Sequence, residues 1–404
     1  MVERFLIVGG GFAAATAAGA LRGHREDDEI VVYAGEPHHP YLRPPLSKEY
    51  MTGKEPVDKA FVHPPEWYAE RSIEVRTGVR VAALGDHRIE LADGTSDRYD
   101  RLLLATGARA RRLDVPGADA AGVHALRTMD DAQSLHAALE PGDREVVIVG
   151  AGWIGMELAA AARTLGNAVT VVAPGAVPLA GPLGDELGTL FREVHESHGV
   201  RFRLGAKVVG LEHADGRVTG VRTDDGVLPA DLVIVGIGAE PAVELATAAG
   251  IAVDDGILVD EHLATDRSDV YAAGDVANAH HPVLGRRMRN EHWANALAGG
   301  KVAAASMAGL DAVLDDIPYF YTDQFELGME YSGYPSLAAD AELVIRGDLA
   351  ARELIAFWVA GGRVVAGMNL NVWKVNKAVQ ALIREARQVD VARLADPAVP
   401  LADL

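Results

Sequence analysis

Unbroken apolar runs that stop at glycines set the pattern of the first 240 positions. The first run, Phe5-Leu6-Ile7-Val8, ends at Gly9-Gly10-Gly11-Phe12-Ala13-Ala14. An alanine-rich stretch continues to about Gly23, and a second apolar run follows at Ile30 to Ala34. The same order returns at Glu145 to Val149, then Gly150-Ala151-Gly152-Trp153-Ile154-Gly155, a helical stretch to about Leu165, and an apolar run at Ala168 to Ala173. The duplication extends further: Ile73 to Leu84 answers Val200 to Leu211. Arg88 to Leu91 turns at Asp93-Gly94, and Val218 to Arg222 turns at Asp225-Gly226. Asp-Gly after such a run predicts a hairpin. Each half closes on an apolar run and a glycine, at Leu102 to Gly107 and Leu232 to Gly238. Near-continuous apolar strands suit a parallel sheet covered on both faces.

Beyond position 240 the pattern returns briefly, with strands expected at Gly256 to Asp260 and Val270 to Asp275. From Tyr319 the character changes. Ala341 to Ile345, Arg352 to Val359 and Arg363 to Met368 alternate around a turn at Gly361-Gly362, and a helix is expected from Val375 to Arg387. The reading is α/β: two Rossmann-like domains and a small C-terminal α+β domain. The boundaries expected are 1–110 with 241–318, then 111–240, then 319–404.

Composition narrows the function. A chain of 404 residues exceeds one hydrophobic core. Its net charge of -20 is the opposite of what a phosphate backbone attracts, so nucleic acid is not an expected partner. No apolar stretch approaches the ~20 residues that span a bilayer, and a cytoplasmic protein is expected. There are no cysteines. That excludes disulfides, thiolate metal sites and thiol redox chemistry in this chain. No metal site is expected.

The glycine clusters carry candidate chemistry. A dinucleotide pyrophosphate needs unhindered backbone N–H groups at a helix N-terminus. The first glycine makes the turn, the second admits the pyrophosphate, and the third lets helix and strand pack closely. Gly150, Gly152 and Gly155 fill all three places. Gly9, Gly11 and Ala14 fill them with alanine in the third. An acid at the end of the second strand would meet the ribose. Glu36 is suited to this in the first unit, with Gly35 as the neighbouring register. In the second unit the place falls on Ala173, followed by Pro174-Gly175, and neither an acid nor an arginine stands there.

Nine motifs extend the reading: GGGFAA at Gly9, RPPLSK at Arg43, LLLATGA at Leu102, LRTMDDA at Leu126, GAGWIGMELAA at Gly150, VIVGIGAEP at Val233, YAAGDVA at Tyr271, RNEHWANA at Arg289 and YFYTDQF at Tyr319. In this order they resemble the FAD- and NAD-binding flavoprotein disulfide reductase superfamily. Within it, the chain is similar to the ferredoxin reductases of bacterial oxygenase and cytochrome P450 systems, over nearly its whole length. The resemblance implies FAD on the first domain and NADH or NADPH, NADH favoured, on the second. By the same resemblance FAD would meet Gly9, Gly11, Ala13, Ala14, Glu36, Arg43, Lys48, Val81, Ala105, Thr106, Gly107, Arg127, Gly274 and Asp275, with Trp293 against its ring system. The nicotinamide coenzyme would meet Gly150, Gly152, Ile154, Gly155, Glu157, Gly236 and Gly238. Lys48, paired with Glu157, and Trp293 would hold the catalytic positions, with Asp323 and Gln324 nearby. The run Tyr319-Phe320-Tyr321-Thr322 departs from the tryptophans and serine common in relatives.

Superfamily members that reduce disulfides need a cysteine pair, and this chain has none. Electrons must therefore leave outward. A [2Fe–2S] or other small ferredoxin feeding a cytochrome P450 or oxygenase is the expected acceptor. Arg286, Arg287 and Arg289 offer a docking patch, to which Lys374, Lys377 and Arg384 could add. The alternatives are direct reduction of rubredoxin, quinone or dye, and a redox sensor resembling apoptosis-inducing factor.

Overall fold

The computed structural model describes Val2–Leu404, in two compact units. The first takes the chain up to Leu42, Asp58–Arg109 and Glu240–Pro318. The second takes Arg43–Val57, Ala110–Ala239 and Tyr319–Leu404.

The first unit is built on a five-stranded parallel sheet, in the order Val270–Ala272, Arg101–Leu104, Arg4–Val8, Glu29–Ala34, Ile73–Thr77. Past their first residues its central strands are buried throughout, as continuous apolar runs require. Of the two strands expected after position 240, only Val270–Ala272 joins this sheet. Ile257–Val259 belongs instead to a three-stranded sheet with Ala277–His281 and Arg286–Arg289. The alanine-rich helix Phe12–His24 packs on helix Trp293–Met307 at backbone range, since a Cβ on Gly300 would stand 2.7 Å from the Ala13 carbonyl oxygen. Small residues, rather than a broad apolar stripe, let these two helices approach.

The second unit repeats the plan with the strand order Arg201–Leu204, Ala168–Ala173, Glu145–Val149, Leu232–Val235, Val123–Ala125, all parallel. It also holds a five-stranded antiparallel sheet, in the order Tyr319–Gln324, Leu327–Gly333, Arg363–Leu370, Glu353–Ala360, Glu342–Asp348. The first two of these strands were not expected from alternation alone. Helix Asn376–Glu385 covers the sheet through Val379, Leu382 and Ile383.

The segment 319–404 was expected as a domain of its own. It shares one core with the second α/β sheet's helices: Met156, Leu187 and Phe191 cluster with Phe320, Met329, Tyr331 and Trp358. The Trp153 ring meets both Phe191 and Phe320 edge-on. The loop from Arg43, expected with the first domain, also groups with this unit. No helix among the described residues is long and apolar enough to cross a membrane.

Candidate functional site: two phosphate cradles and a buried carboxylate

In the first unit Gly9 turns with φ +143°, and a Cβ there would stand 2.0 Å from the Ala105 carbonyl oxygen. Only glycine fits. Gly11 caps helix Phe12–His24 with extended backbone, and a Cβ on it meets nothing within 4 Å. The helix carries no acid in its first turn, so its N-terminal N–H groups face open space suited to an anion. Ala13 and Ala14 are buried behind them. Gly274 turns with φ +79°, and a Cβ there would stand 3.0 Å from the Ala13 Cβ, so its turn, and Asp275 after it, lies against this cradle. Glu36 follows the second strand and accepts a 2.5 Å hydrogen bond from the Tyr41 hydroxyl. Thr106 donates to the Ala242 carbonyl at 2.7 Å, and Gly107 turns with φ +69°. Val81 is buried at the start of its strand. Trp293 opens its helix 6.3 Å from Phe12. The first unit thus gathers every FAD residue expected of it except those on the Arg43 loop and Arg127.

The second cradle copies the first. Gly150 turns with φ +110°, and its Cβ would stand 2.3 Å from the Gly236 carbonyl oxygen. A Cβ on Gly155 would stand 2.1 Å from the Gly150 carbonyl oxygen. Gly152 caps helix Trp153–Thr164 with nothing near its missing side chain. Ile154 is 43% exposed and Ile237 37% exposed. Gly238 turns with φ +98°. These features fit two dinucleotides, one per cradle.

Glu157 is the fifth residue of that helix, and the first turn holds no acid. Its side chain is 4% exposed and that of its partner Lys48 8%. The Lys48 ammonium donates to Glu157 Oε1 at 2.8 Å. Thr322 Oγ1 donates to the same oxygen at 2.6 Å, and Ser47 Oγ donates to Oε2 at 2.5 Å. Gln324 Nε2 donates to Thr322 Oγ1 at 3.1 Å, which commits the threonine proton to Glu157. A buried carboxylate needs donors of this kind. Two segments supply them to the cradle helix: the 3₁₀ turn Pro44–Ser47 with the Lys48 that follows it, and strand Tyr319–Gln324. The Lys48 ammonium also stands 5.4 Å from the centre of the Tyr321 ring. Asp323 lies exposed between the buried Thr322 and Gln324. The Arg43 guanidinium donates to the Arg127 carbonyl, just before the capping box that Thr128 and Asp131 form.

Ser47 and Thr322 were not among the expected site residues. The only sequence signal for them is a hydroxyl inside each of two motifs, RPPLSK and YFYTDQF.

The arginine patch is narrower than expected. Arg286 and Arg287 are exposed on their strand. Arg289 is 11% exposed and ion-paired with Asp255 at 3.1 Å and with Glu291, so its charge is matched by two acids beside it. Lys374, Lys377 and Arg384 are exposed in the second unit.

Comparison with known proteins agrees with this geometry. The family model described as "pyridine nucleotide-disulphide oxidoreductase" matches residues 3–300, and that described as "reductase C-terminal" matches 319–404. The anthranilate 1,2-dioxygenase system ferredoxin–NAD(+) reductase component of Burkholderia cepacia is 39% identical, over 99% of this chain and 98% of the relative. Among solved structures, the covalent putidaredoxin reductase–putidaredoxin complex superposes with a TM-score of 0.95 at 33% identity, covering 99% of this chain and 97% of that one. The ferredoxin reductase for the CYP199A2 system from Rhodopseudomonas palustris superposes with a TM-score of 0.94 at 33% identity, covering 99% of each chain. With its duplicated cradles, and with matches that run almost end to end, the chain belongs to the pyridine nucleotide-disulphide oxidoreductase family.

Proposed function

We infer that this chain is an FAD-dependent NAD(P)H:ferredoxin reductase that supplies electrons, through a small iron–sulfur ferredoxin, to a cytochrome P450 or other oxygenase. The observation that carries the reading is the missing cysteine in a chain with two dinucleotide cradles. A family member with no thiol has no disulfide to reduce or to pass electrons through. The relatives that match over their full lengths are named as reductases of ferredoxins.

FAD, when bound, would supply the redox chemistry, two-electron with the nicotinamide and one-electron with the carrier. The chain supplies position and field. Gly9 and Gly11 admit one pyrophosphate to a helix end, and Gly150 and Gly152 admit the other. Ile154 and Ile237 give the nicotinamide an apolar wall. Lys48 holds a positive charge for the reduced flavin. Glu157 holds that ammonium while also accepting from two hydroxyls. With its oxygens so occupied, Glu157 orients Lys48 rather than moving protons. Trp293, at the start of its helix in the first unit, would be the residue offered to the ring system. Arg286 and Arg287 form the part of the patch left to attract an acidic carrier.

Anaerobic stopped-flow mixing with NADH tests the reading, followed by a [2Fe–2S] ferredoxin and cytochrome c. Fast flavin bleaching with ferredoxin-dependent cytochrome c reduction is expected. Bleaching without transfer to any ferredoxin would refute the carrier assignment. Arg286→Glu should slow ferredoxin reduction and leave dye reduction unchanged.

A further inference from the structure

The internal duplication serves as a ruler for the coenzyme site. Gly9 N–H donates to the Tyr33 carbonyl at 2.9 Å, and Gly150 N–H donates to the Val172 carbonyl at 2.8 Å. Val8 stands opposite Tyr33 in the first sheet, and Val149 opposite Val172 in the second. Three residues past these carbonyls the agreement persists. Gly78 N–H donates to the Glu36 carbonyl at 2.8 Å, and Gly205 N–H to the Gly175 carbonyl at 3.0 Å. The counterpart of Glu36 is therefore Gly175, two positions beyond the strand-end residue Ala173.

Gly175 is exposed, and the loop that carries it is bare of chemistry. From Ala173 to Gly184 the sequence reads APGAVPLAGPLG, with no side chain that ionises or hydrogen-bonds. The segment belongs to the cradle, because the Leu179 N–H donates to the Ala151 carbonyl at 3.0 Å. The adjacent strand offers Arg203, opposite Val172, but its guanidinium is paired with Asp225 at 2.7 Å.

An acid at this place would accept from the ribose 2′-hydroxyl and repel a 2′-phosphate, and an arginine would do the reverse. Selectivity is a difference of affinities and commonly needs a repulsive element. None is present. We propose that the second cradle does not discriminate between NADH and NADPH, and that Gly175 is the specificity-determining position. The proposal rests on the reading that this cradle takes a nicotinamide coenzyme, and it is independent of the electron acceptor.

The test titrates NAD(+) and NADP(+) calorimetrically into the FAD-loaded protein, and measures anaerobic flavin bleaching by limiting NADH and NADPH. A charge-assisted hydrogen bond or a like-charge clash changes affinity about tenfold or more. For the natural chain the two coenzymes should agree within about tenfold in both measurements. Gly175→Glu should shift the ratio toward NADH by about tenfold or more, and Gly175→Arg should shift it toward NADPH. The substitutions are sterically open, since the nearest atom to a Cβ at 175 is the Val177 carbonyl oxygen at 3.4 Å. A wild-type preference beyond tenfold in either direction, or a ratio that neither variant moves, would overturn the proposal. Failure of both coenzymes to bind or bleach would remove the reading beneath it. A missing ferredoxin would affect neither measurement.

Discussion

Glu157 is the residue with the most at stake, because a buried carboxylate is tolerated only with its donors in place. Lys48→Met leaves that charge without its cation and should cost about 3–5 kcal/mol, read from urea denaturation. Thr322→Val removes one neutral donor and should cost about 1–3 kcal/mol, with Thr322→Ser recovering most of it. Equal stability of the valine variant would show that the hydroxyl does not serve the carboxylate. His195 makes a second residue-scale case. It is fully buried, with Nδ1 2.9 Å from the Phe191 carbonyl oxygen and Nε2 3.2 Å from that of Met156. A neutral ring donates to only one of them. Burial holds its pKa below the ordinary 6.5, against the pull of the two carbonyls. The unfolded chain then binds the proton more readily, so stability present above about pH 6.5 is lost as the pH falls. His195→Gln should flatten that part of the stability–pH curve, and an unchanged curve would assign the titration elsewhere. At this scale, Lys48 and Glu157 were legible because each sits in a motif. Ser47 and Thr322 were not: the Thr322–Glu157 bond spans 165 positions, and no local pattern encodes which hydroxyl completes a carboxylate's shell.

The elements place these groups, and the two cradles separate what a glycine does for folding from what it does for binding. Gly150 needs a left-handed turn against the Gly236 backbone, whereas Gly152 needs neither. Gly150→Ala should lower thermal stability and abolish coenzyme binding together. Gly152→Val should leave the stability of the coenzyme-free protein within about 1 kcal/mol, because its Cβ points into open space, yet weaken NAD(+) binding about tenfold or more. Comparable melting losses in both variants would mean that Gly152 is a folding glycine and that the open space is not the phosphate site. Most of these elements could be read from the chain. Both cradle helices and their flanking strands fall within a residue or two of expectation, because continuous apolar runs and glycine breaks are local signals. Strands Tyr319–Gln324 and Leu327–Gly333 escaped it, since the first buries the polar Thr322 and Gln324 and the second alternates only over Leu327, Met329 and Tyr331.

For the whole molecule, the shared core of the second unit changes what can be cut. Phe320, Met329, Tyr331 and Trp358 bury the same apolar surface as Met156, Leu187 and Phe191. A chain ending at Pro318 should therefore be insoluble or molten, with lost near-ultraviolet dichroism. A soluble, cooperatively melting fragment would show that the C-terminal segment is an appendage. The charge of the chain, at -20, would repel an acidic carrier of the kind proposed. Only a local field can recruit one, and Arg289 does not contribute because Asp255 and Glu291 hold its charge.

The sequence by itself determined the duplicated α/β plan, the two phosphate cradles and the exclusion of thiol chemistry, all of which rest on short-range pattern or on composition. Only the tertiary structure decided that the C-terminal segment shares the second unit's core and that Glu157 draws donors from two distant segments. It also decided that Arg289 is structural and that Gly175, rather than Ala173, is the counterpart of Glu36. These features depend on which distant side chains meet, and on strand register across a sheet. Both are fixed by packing the whole chain rather than by any stretch of it.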